Sequence, residues 1–276
     1  MTMQRASDPG HQVPAPLRRY SQNWLANDEL AEALVRAVDP RTGDRFLEIG
    51  PGEGRMTRAL LAHDVAVTAV ELDPRCCETL AALESANSRR LTIVQRDVLE
   101  FDPSEAGDDP LRFVGNLPYA VASPILRWTA KHHRHLRDAH YMVPLEVAHR
   151  MLAPAGSSER ALLSVLIGWF FDGEIVRRLG PGAFRPAPAI DSAFVRLVPH
   201  EPPSCVAPGS HRRAVVRGAF AHRRKTLANS LRLSGWESAD IEQALDAAGI
   251  DPAARAQTVE VAQFARLAEA LPELAP

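Results

Sequence analysis

From Asn27 onward, short apolar runs alternate with stretches whose apolar residues recur at helical spacing. The runs predict strands at Arg45–Gly50, Val65–Leu72, Leu91–Asp97, Arg112–Leu117, Ala139–Val143, Glu174–Leu179 and Ser192–Pro199, with helical patterns in most gaps. Asn27-Asp28 can cap a helix reaching about Val38, and Arg55–His63 reads as another. Strand alternating with helix predicts a parallel sheet, so the fold expected is α/β, one doubly wound unit of seven strands. The polar, Pro-rich stretch Glu201–Ser210 reads as a linker. Beyond it His211–Leu233, Ala239–Ala248 and Val259–Leu271 show helical spacing, and Asp251-Pro252 offers an N-cap and first-turn start. The organisation expected is a flexible tail over 1–19, a main domain over 20–200, a linker over 201–210 and a small helical domain over 211–276.

Composition narrows the class. With 276 residues, 46% hydrophobic and 24% charged, and a net charge of −2, the chain has enough apolar material for a sizeable core and is not a disordered chain. The longest nearly apolar stretch, Ala161–Phe171, falls far short of the roughly 20 residues a membrane span needs, and Met1–Arg19 lacks the apolar run of a signal peptide. Adjacent Cys76 and Cys77 with a distant Cys205 form neither a disulfide framework nor a metal-ligand spacing, so a cytoplasmic location and inert thiols are expected. Charge is segregated. Asp97–Asp109 is acidic, whereas Arg212–Arg232 carries seven Arg or Lys and no acid.

Phe46-Leu-Glu-Ile-Gly-Pro-Gly-Glu-Gly54 is a strand feeding a glycine loop that opens a helix, an arrangement that lets backbone approach a ligand closely. A dinucleotide dehydrogenase would fit Glu71 at the end of the next strand, but its fingerprint needs glycine at 55, where this chain has Arg55. An acid before the loop (Glu48), a second closing strand two (Glu71) and a third closing strand three (Asp97) resemble the cofactor site of class I (Rossmann-like) S-adenosylmethionine methyltransferases. That resemblance implies that Gly50 and Gly52 lie against the cofactor, Glu71 accepts from the ribose hydroxyls and Asp97 from the adenine amino group.

Gly115-Asn116-Leu117-Pro118-Tyr119 at the end of strand four carries the reaction chemistry. An exocyclic amine is a poor nucleophile because its lone pair is delocalised into the ring, so a site must accept hydrogen bonds from it and let the nitrogen pyramidalise. Asn116 Oδ1 and the carbonyl of Leu117 suit that task. Pro118 stiffens the turn without a competing N–H, and Tyr119 offers a face for a flipped base. No strong base is required, since the leaving group is a thioether and geometry with preorganised electrostatics supplies most of the rate.

With these motifs the chain resembles the KsgA/RsmA small-subunit ribosomal RNA adenine N6-dimethyltransferases, relatives of the Erm resistance methylases. The likeness runs from Tyr20 to about Leu271 and includes Gln22-Asn-Trp-Leu25, Phe184-Arg-Pro-Ala-Pro188, Asp191-Ser-Ala-Phe-Val-Arg-Leu197 and Arg223-Arg-Lys-Thr-Leu227. Ser21 and Trp24 depart from the family's glycine and phenylalanine, as does Glu159–Ser164 by lacking a Tyr-Gly pair. The resemblance implies a seven-stranded methyltransferase sheet and a helical RNA-binding domain, with Asn23, Leu25, Gly50, Glu71, Asp97 and Asn116 on S-adenosylmethionine and Phe184 beside Tyr119 on the target adenine. It implies ribosome biogenesis as the setting, a small-subunit assembly particle as the partner and a monomeric enzyme. Two alternatives remain: an Erm-type enzyme acting on large-subunit RNA, and an assembly or transcription factor on the same fold.

For the RNA, Arg127, Lys131 and Arg134 share a helical arc, opposite Ile125, Thr129 and Leu136. On the first C-terminal helix Val216, Phe220, Leu227 and Leu231 form a core face flanked by basic residues, and the cluster Arg223, Arg224 and Lys225 is expected to meet phosphates. His132, His133 and His135 lack an i, i+4 pair, so no metal is expected.

Overall fold

Local sequence dictates the first elements of the computed structural model, which describes residues 23–107, 110–202, 205 and 209–274. The expected tail, Ser21, Gln22, Asp108 and half of the expected linker lie outside the described residues. A two-residue strand, β1 (Trp24–Leu25), precedes α1 (Asp28–Val38). Asn27 caps that helix by accepting from Leu30 N at 2.9 Å, Asp28 and Glu29 favour its positive end, and Ala31, Leu34, Val35 and Val38 form its buried face. There follow β2 (Arg45–Ile49), α2 (Arg55–Leu61), β3 (Ala66–Glu71), α3 (Pro74–Ala86), β4 (Leu91–Gln95), β5 (Leu111–Asn116), α4 (Ala122–Lys131) and β6 (Leu136–Pro144). The chain continues through α5 (Leu145–Met151), α6 (Leu162–Gly168), β7 (Phe171–Leu179), β8 (Phe184–Arg185) and β9 (Ser192–Pro199). Four helices end it: α7 (Gly209–Ala221), α8 (Leu227–Leu233), α9 (Ser238–Ala248) and α10 (Val261–Ala270).

All seven expected strands join one sheet, in the order β4-β3-β2-β5-β6-β9-β7. β2 pairs in parallel with both β3 and β5, and the outer pairs β3–β4 and β5–β6 are parallel as well. The chain therefore runs outward from β2 and returns to the other side of it, which makes the carboxyl ends of β2 and β5 the switch point where such sheets bind ligands. The sequence did not reveal a second, two-stranded sheet, in which Trp24 pairs with Arg185 and Leu25 with Phe184. Strands of two residues carry no period to read.

Two compact units are interleaved along the sequence. The first takes the described chain to Ile125 together with Arg134–Pro144 and Ile175–Arg196, around a core that includes Leu34, Phe46, Leu60, Val67 and Phe194. The second takes Leu126–His133, Leu145–Glu174 and the chain from Leu197, around Val165, Trp169, Val215, Leu231 and Phe264. The consecutive domains expected from the linker assign Leu145–Glu174 to the sheet; packing groups it with the C-terminal helices, because Val165 and Trp169 contribute to their core. Buried Arg160 ties the same unit together, donating to the carbonyls of Ala153 at 3.1 Å and Val259 at 2.9 Å.

Three helical expectations are corrected. The single helix over His211–Leu233 is broken: α7 stops at Ala221, a turn follows, and Thr226 caps α8 by accepting from Asn229 N at 3.3 Å. Buried Ser230 stabilises the break by accepting from His222 N and donating to the Gly218 carbonyl at 2.7 Å. Asp251-Pro252 opens a turn rather than a helix, Asp251 accepting from Ala253 N, and α10 instead starts behind Glu260, whose N–H donates to Gln263. α4 ends at Lys131, so Arg134 sits in the 3-10 turn His133–His135 instead of continuing the helical arc. Among the described residues, no helix is long and apolar enough to cross a membrane.

Candidate active site

The loop between β2 and α2 forms one wall of a cavity of about 180 Å³ in the first unit. Gly50 continues the pairing of β2 by donating to the Val70 carbonyl at 2.9 Å, then turns with φ +65°, a conformation that a side chain would strain. Nothing lies within 4 Å of the place its Cβ would occupy, so bare backbone faces open space. Gly52 N–H donates to Glu71 Oε2 at 3.0 Å and Asp73 N–H donates to Glu71 Oε1 at 2.9 Å. Glu71 thus fastens the glycine loop to the turn after β3 while lining the cavity.

The acids of this wall are strongly desolvated. Burial raises the Glu71 carboxyl above its ordinary value, against the pull of the backbone N–H groups of Asp73, Gly52 and Leu72. Burial also pushes Glu48 up to about 7, and the nearby Glu71 charge acts in the same direction. Thr57 beside Glu48 pulls the other way, and both side chains are buried.

The opposite wall comes from the end of β5. A Cβ on Gly115 would lie 2.6 Å from the carbonyl oxygen of Ile49, so glycine is what permits β5 to close on the end of β2. The next residue, Asn116, lines the cavity. Its Nδ2 donates to the Asn23 carbonyl at 2.6 Å, and its Oδ1 is buried without a partner among the described residues. A buried acceptor left free at a cavity is a place for an incoming N–H donor. Leu117, 1% exposed, donates its N–H to the Met142 carbonyl, and Pro118 turns the chain with φ −61° along the cavity wall.

Of the other residues singled out from sequence, Asn23 and Leu25 reach the cavity from the clamp formed by β1, whereas Leu117, Tyr119, Phe184 and Asp97 do not line it. Tyr119 is half-buried, hydrogen-bonded through its hydroxyl to Ser192, and burial raises its phenol above the ordinary value, which keeps it neutral. Phe184 is 2% exposed and meets Tyr119 edge-on, with ring centroids 6.5 Å apart. It backs the tyrosine and, through β8, holds Leu25. Asp97 is half-buried and caps the turn after β4, one oxygen accepting from Leu99 N at 2.9 Å.

Sequence reasoning missed Leu72 and Val121, which line the cavity with 49% and 39% of their surface exposed. Exposed apolar side chains at a strand's carboxyl end are suited to a flat ring, and an apolar residue directly after the acid Glu71 was a readable sign of one. Trp24, Met56 and Arg55 line the cavity too, Arg55 through an ion pair with Asp28 at 2.7 Å and another with Glu53. Cys76 and Cys77 are pushed up to about 12 and about 11 by burial and offer no thiolate. In the second unit Arg223, Arg224 and Lys225 occupy the exposed turn between α7 and α8, with Arg223 donating to the Ser158 carbonyl at 2.7 Å. Arg127 and Lys131 are exposed on α4.

Comparison with known proteins adds to this geometry. Residues 17–273 match the family model described as ribosomal RNA adenine dimethylase. The chain is 42% identical over 267 residues to the ribosomal RNA small subunit methyltransferase A of Acidithiobacillus ferrooxidans, covering 95% of this chain and 96% of that one. It is 42% identical over 260 residues to the protein of that name from Xanthomonas axonopodis pv. citri, covering 92% and 96%. Among solved structures, the 23S rRNA methyltransferase ErmE is similar at a TM-score of 0.64 and 29% identity, over 90% of this chain and 99% of that one. A dimethyladenosine transferase from Plasmodium falciparum shares the fold at a TM-score of 0.71 and 22% identity, over 88% and 95%.

Proposed function

The chain belongs to the ribosomal RNA adenine dimethylase family, and from that premise we infer that it transfers methyl groups from S-adenosylmethionine to the N6 of adenines in small-subunit ribosomal RNA, twice per base. Relatives named for the small subunit are 42% identical, against 29% for the 23S enzyme, which favours the small-subunit reading over the Erm-type one.

The cavity suits the cofactor. Glu71 accepts from the Gly52 and Asp73 N–H groups and keeps acceptor capacity on its oxygens for ribose hydroxyls. Gly50 and Gly52 give a floor without side chains, Leu72 and Val121 give apolar walls for a purine, and Asn23 and Leu25 close the site from the clamp. Asp97 keeps its second oxygen for the adenine amino group. When bound, S-adenosylmethionine supplies a methyl group activated by its sulfonium.

One observation carries the mechanism: the free, buried Oδ1 of Asn116, fixed in direction because Nδ2 is tied to Asn23. Asn116 Oδ1 and the Leu117 carbonyl accept from the target N6 amine, so its nitrogen pyramidalises and the lone pair turns toward the methyl group. Pro118 stiffens this acceptor turn, and Tyr119, backed by Phe184, stacks on the base. Orientation and preorganised acceptors do the work, and the proton leaves after transfer. Arg223, Arg224 and Lys225 hold RNA phosphates on the helical unit. We extend the reading to a monomeric enzyme acting in the cytoplasm on an assembling small subunit. Incubating the protein and S-adenosylmethionine with unmethylated small-subunit RNA should give N6,N6-dimethyladenosine by mass spectrometry; no methylated adenine would overturn the reading.

A further inference from the structure

A second cleft, with an interior of about 220 Å³, lies wholly within the second unit and shares no residue with the cavity above. Trp169 and Phe170, which follow α6, form one wall. Arg212 and Arg213 in the first turn of α7 form another, and Arg127, Lys131 and His133 come from α4 and the residues after it. Four cations and no acid therefore line it. Among the described residues, none of the four is paired with a carboxylate.

The cations converge. A Cβ on Gly209, the first residue of α7, would lie 3.6 Å from Arg212 Nη2 and 3.6 Å from Arg213 Nη1. Two guanidinium groups thus gather at the amino-terminal, positive end of the helix, an arrangement that favours an anion, although Arg212 Nη1 also donates to the Cys205 carbonyl at 3.2 Å. Trp169 contributes an independent sign of a ligand: it is 2% exposed, and its Nε1–H has no hydrogen-bond partner among the described residues. Its ring already lies under the Arg212 guanidinium, 5.4 Å from the centroid. Half-buried Phe170 already stacks with His133 at 4.3 Å and an interplanar angle of 29°, so one flat ring is held face to face on this wall.

We propose that this cleft receives one nucleotide of single-stranded RNA, its phosphate between Arg212 and Arg213 and its base against Trp169, Phe170 and His133. Cations interleaved with aromatic faces are the chemistry that holds unpaired nucleotides, because every base has a π-face and every linkage a charge. A duplex keeps its bases stacked and cannot enter such a cleft. Inorganic phosphate would satisfy the arginines and leave the aromatic wall unused. The proposal rests on RNA being the substrate and adds where an unpaired segment of it is anchored.

The test uses the full chain and two probes, a labelled single-stranded pentauridylate and a short blunt RNA duplex. Phe170→Leu, which keeps an apolar side chain, should weaken pentamer binding about 5- to 100-fold, leave its salt slope intact and leave duplex binding unchanged. Arg212→Ala with Arg213→Ala should weaken it as well and reduce the slope of log K against log salt by about 1.4, roughly 0.7 per contact. A photo-crosslink from 4-thiouridine in the pentamer to the unaltered protein should map to Trp169, Phe170 or His133, which decides the matter even if a variant fails to fold. Crosslinks confined to other residues, wild-type pentamer affinity in folded Phe170→Leu, or equal weakening of both probes would overturn the cleft. Failure of the unaltered protein to methylate ribosomal RNA would instead overturn the proposed function, whatever the pentamer does.

Discussion

Asn116 and Asn23 are joined by a hydrogen bond of 2.6 Å from a side-chain amide to a backbone carbonyl, across 93 positions of sequence. The bond fixes which end of the amide faces the cavity and ties the amino-terminal clamp to the residue proposed to receive the target amine. The clamp is thus held on two sides: β8 pairs with Trp24 and Leu25, the Ala183 carbonyl just before it accepts from Ala26 N–H at 2.9 Å, and Asn116 holds Asn23.

Glu71→Ala should weaken cofactor binding by roughly one to two orders of magnitude, as expected from losing about 1.5–3 kcal/mol of hydrogen bonding to a charged acceptor. It also releases the Gly52 and Asp73 N–H groups, so the loop loses its anchor. Calorimetry with S-adenosylmethionine checks this, and an unchanged Kd would place the ribose elsewhere.

Gly115→Ala should both destabilise and disable the enzyme. The added methyl must displace backbone at Ile49, and overpacking of this kind costs about 1–3 kcal/mol. Because β5 then shifts with Asn116 at its end, kcat should fall at least tenfold in the folded fraction. Thermal unfolding beside single-turnover kinetics measures both.

Glu48 gives stability a pH signature. Its folded carboxyl sits at about 7, above an unfolded value of 4.5, so its favourable contribution is complete below about pH 4.5 and is lost as pH rises through 7. Glu48→Gln removes that loss. Without cofactor, the variant should match the parent near pH 4.5 and exceed it by on the order of 3 kcal/mol at pH 8. Buried His140, pushed down to about 4, contributes with the opposite sign, its stability lost as pH falls from 6.5 toward 4, so the comparison must be made against the Gln variant rather than read from the parent alone. Denaturant titrations at both pH values decide it.

Replacing Arg223, Arg224 and Lys225 together by alanine should weaken RNA binding across sequences and reduce the salt slope by roughly 0.7 to 0.9 per lost phosphate contact, with S-adenosylmethionine binding intact. Filter binding over a salt series measures the slope. A wild-type slope would make the turn a solvated surface.

Much of this was legible in the sequence because it follows from short-range physics. The seven strands show in their apolar runs, Asn27 marks a helix start by its cap, and the glycine loop and the Asn116–Tyr119 box are local. What was hidden depends on contacts distant in sequence. Nothing near Phe184 says that it pairs with Leu25, and nothing within Leu162–Gly168 says that Val165 belongs to the C-terminal core. The break after Ala221 escaped because Phe220, Leu227 and Leu231 keep helical spacing across it, while the deciding hydrogen bonds come from Ser230 and Thr226. Gly115 shows in the sequence only as part of a motif; its closeness to Ile49 appears once both strands are in place.

In the proposed mechanism Asn116 orients the nucleophile more than it anchors the cofactor. The most direct measurement is single-turnover methyl transfer to small-subunit RNA by Asn116→Ala, with the Kd for S-adenosylmethionine determined on the same sample. Losing a preorganised acceptor should reduce the rate about 100- to 1,000-fold, while cofactor affinity changes less than about tenfold, the size of one neutral hydrogen bond. A variant that binds cofactor normally and transfers methyl at a near-parental rate would contradict the mechanism.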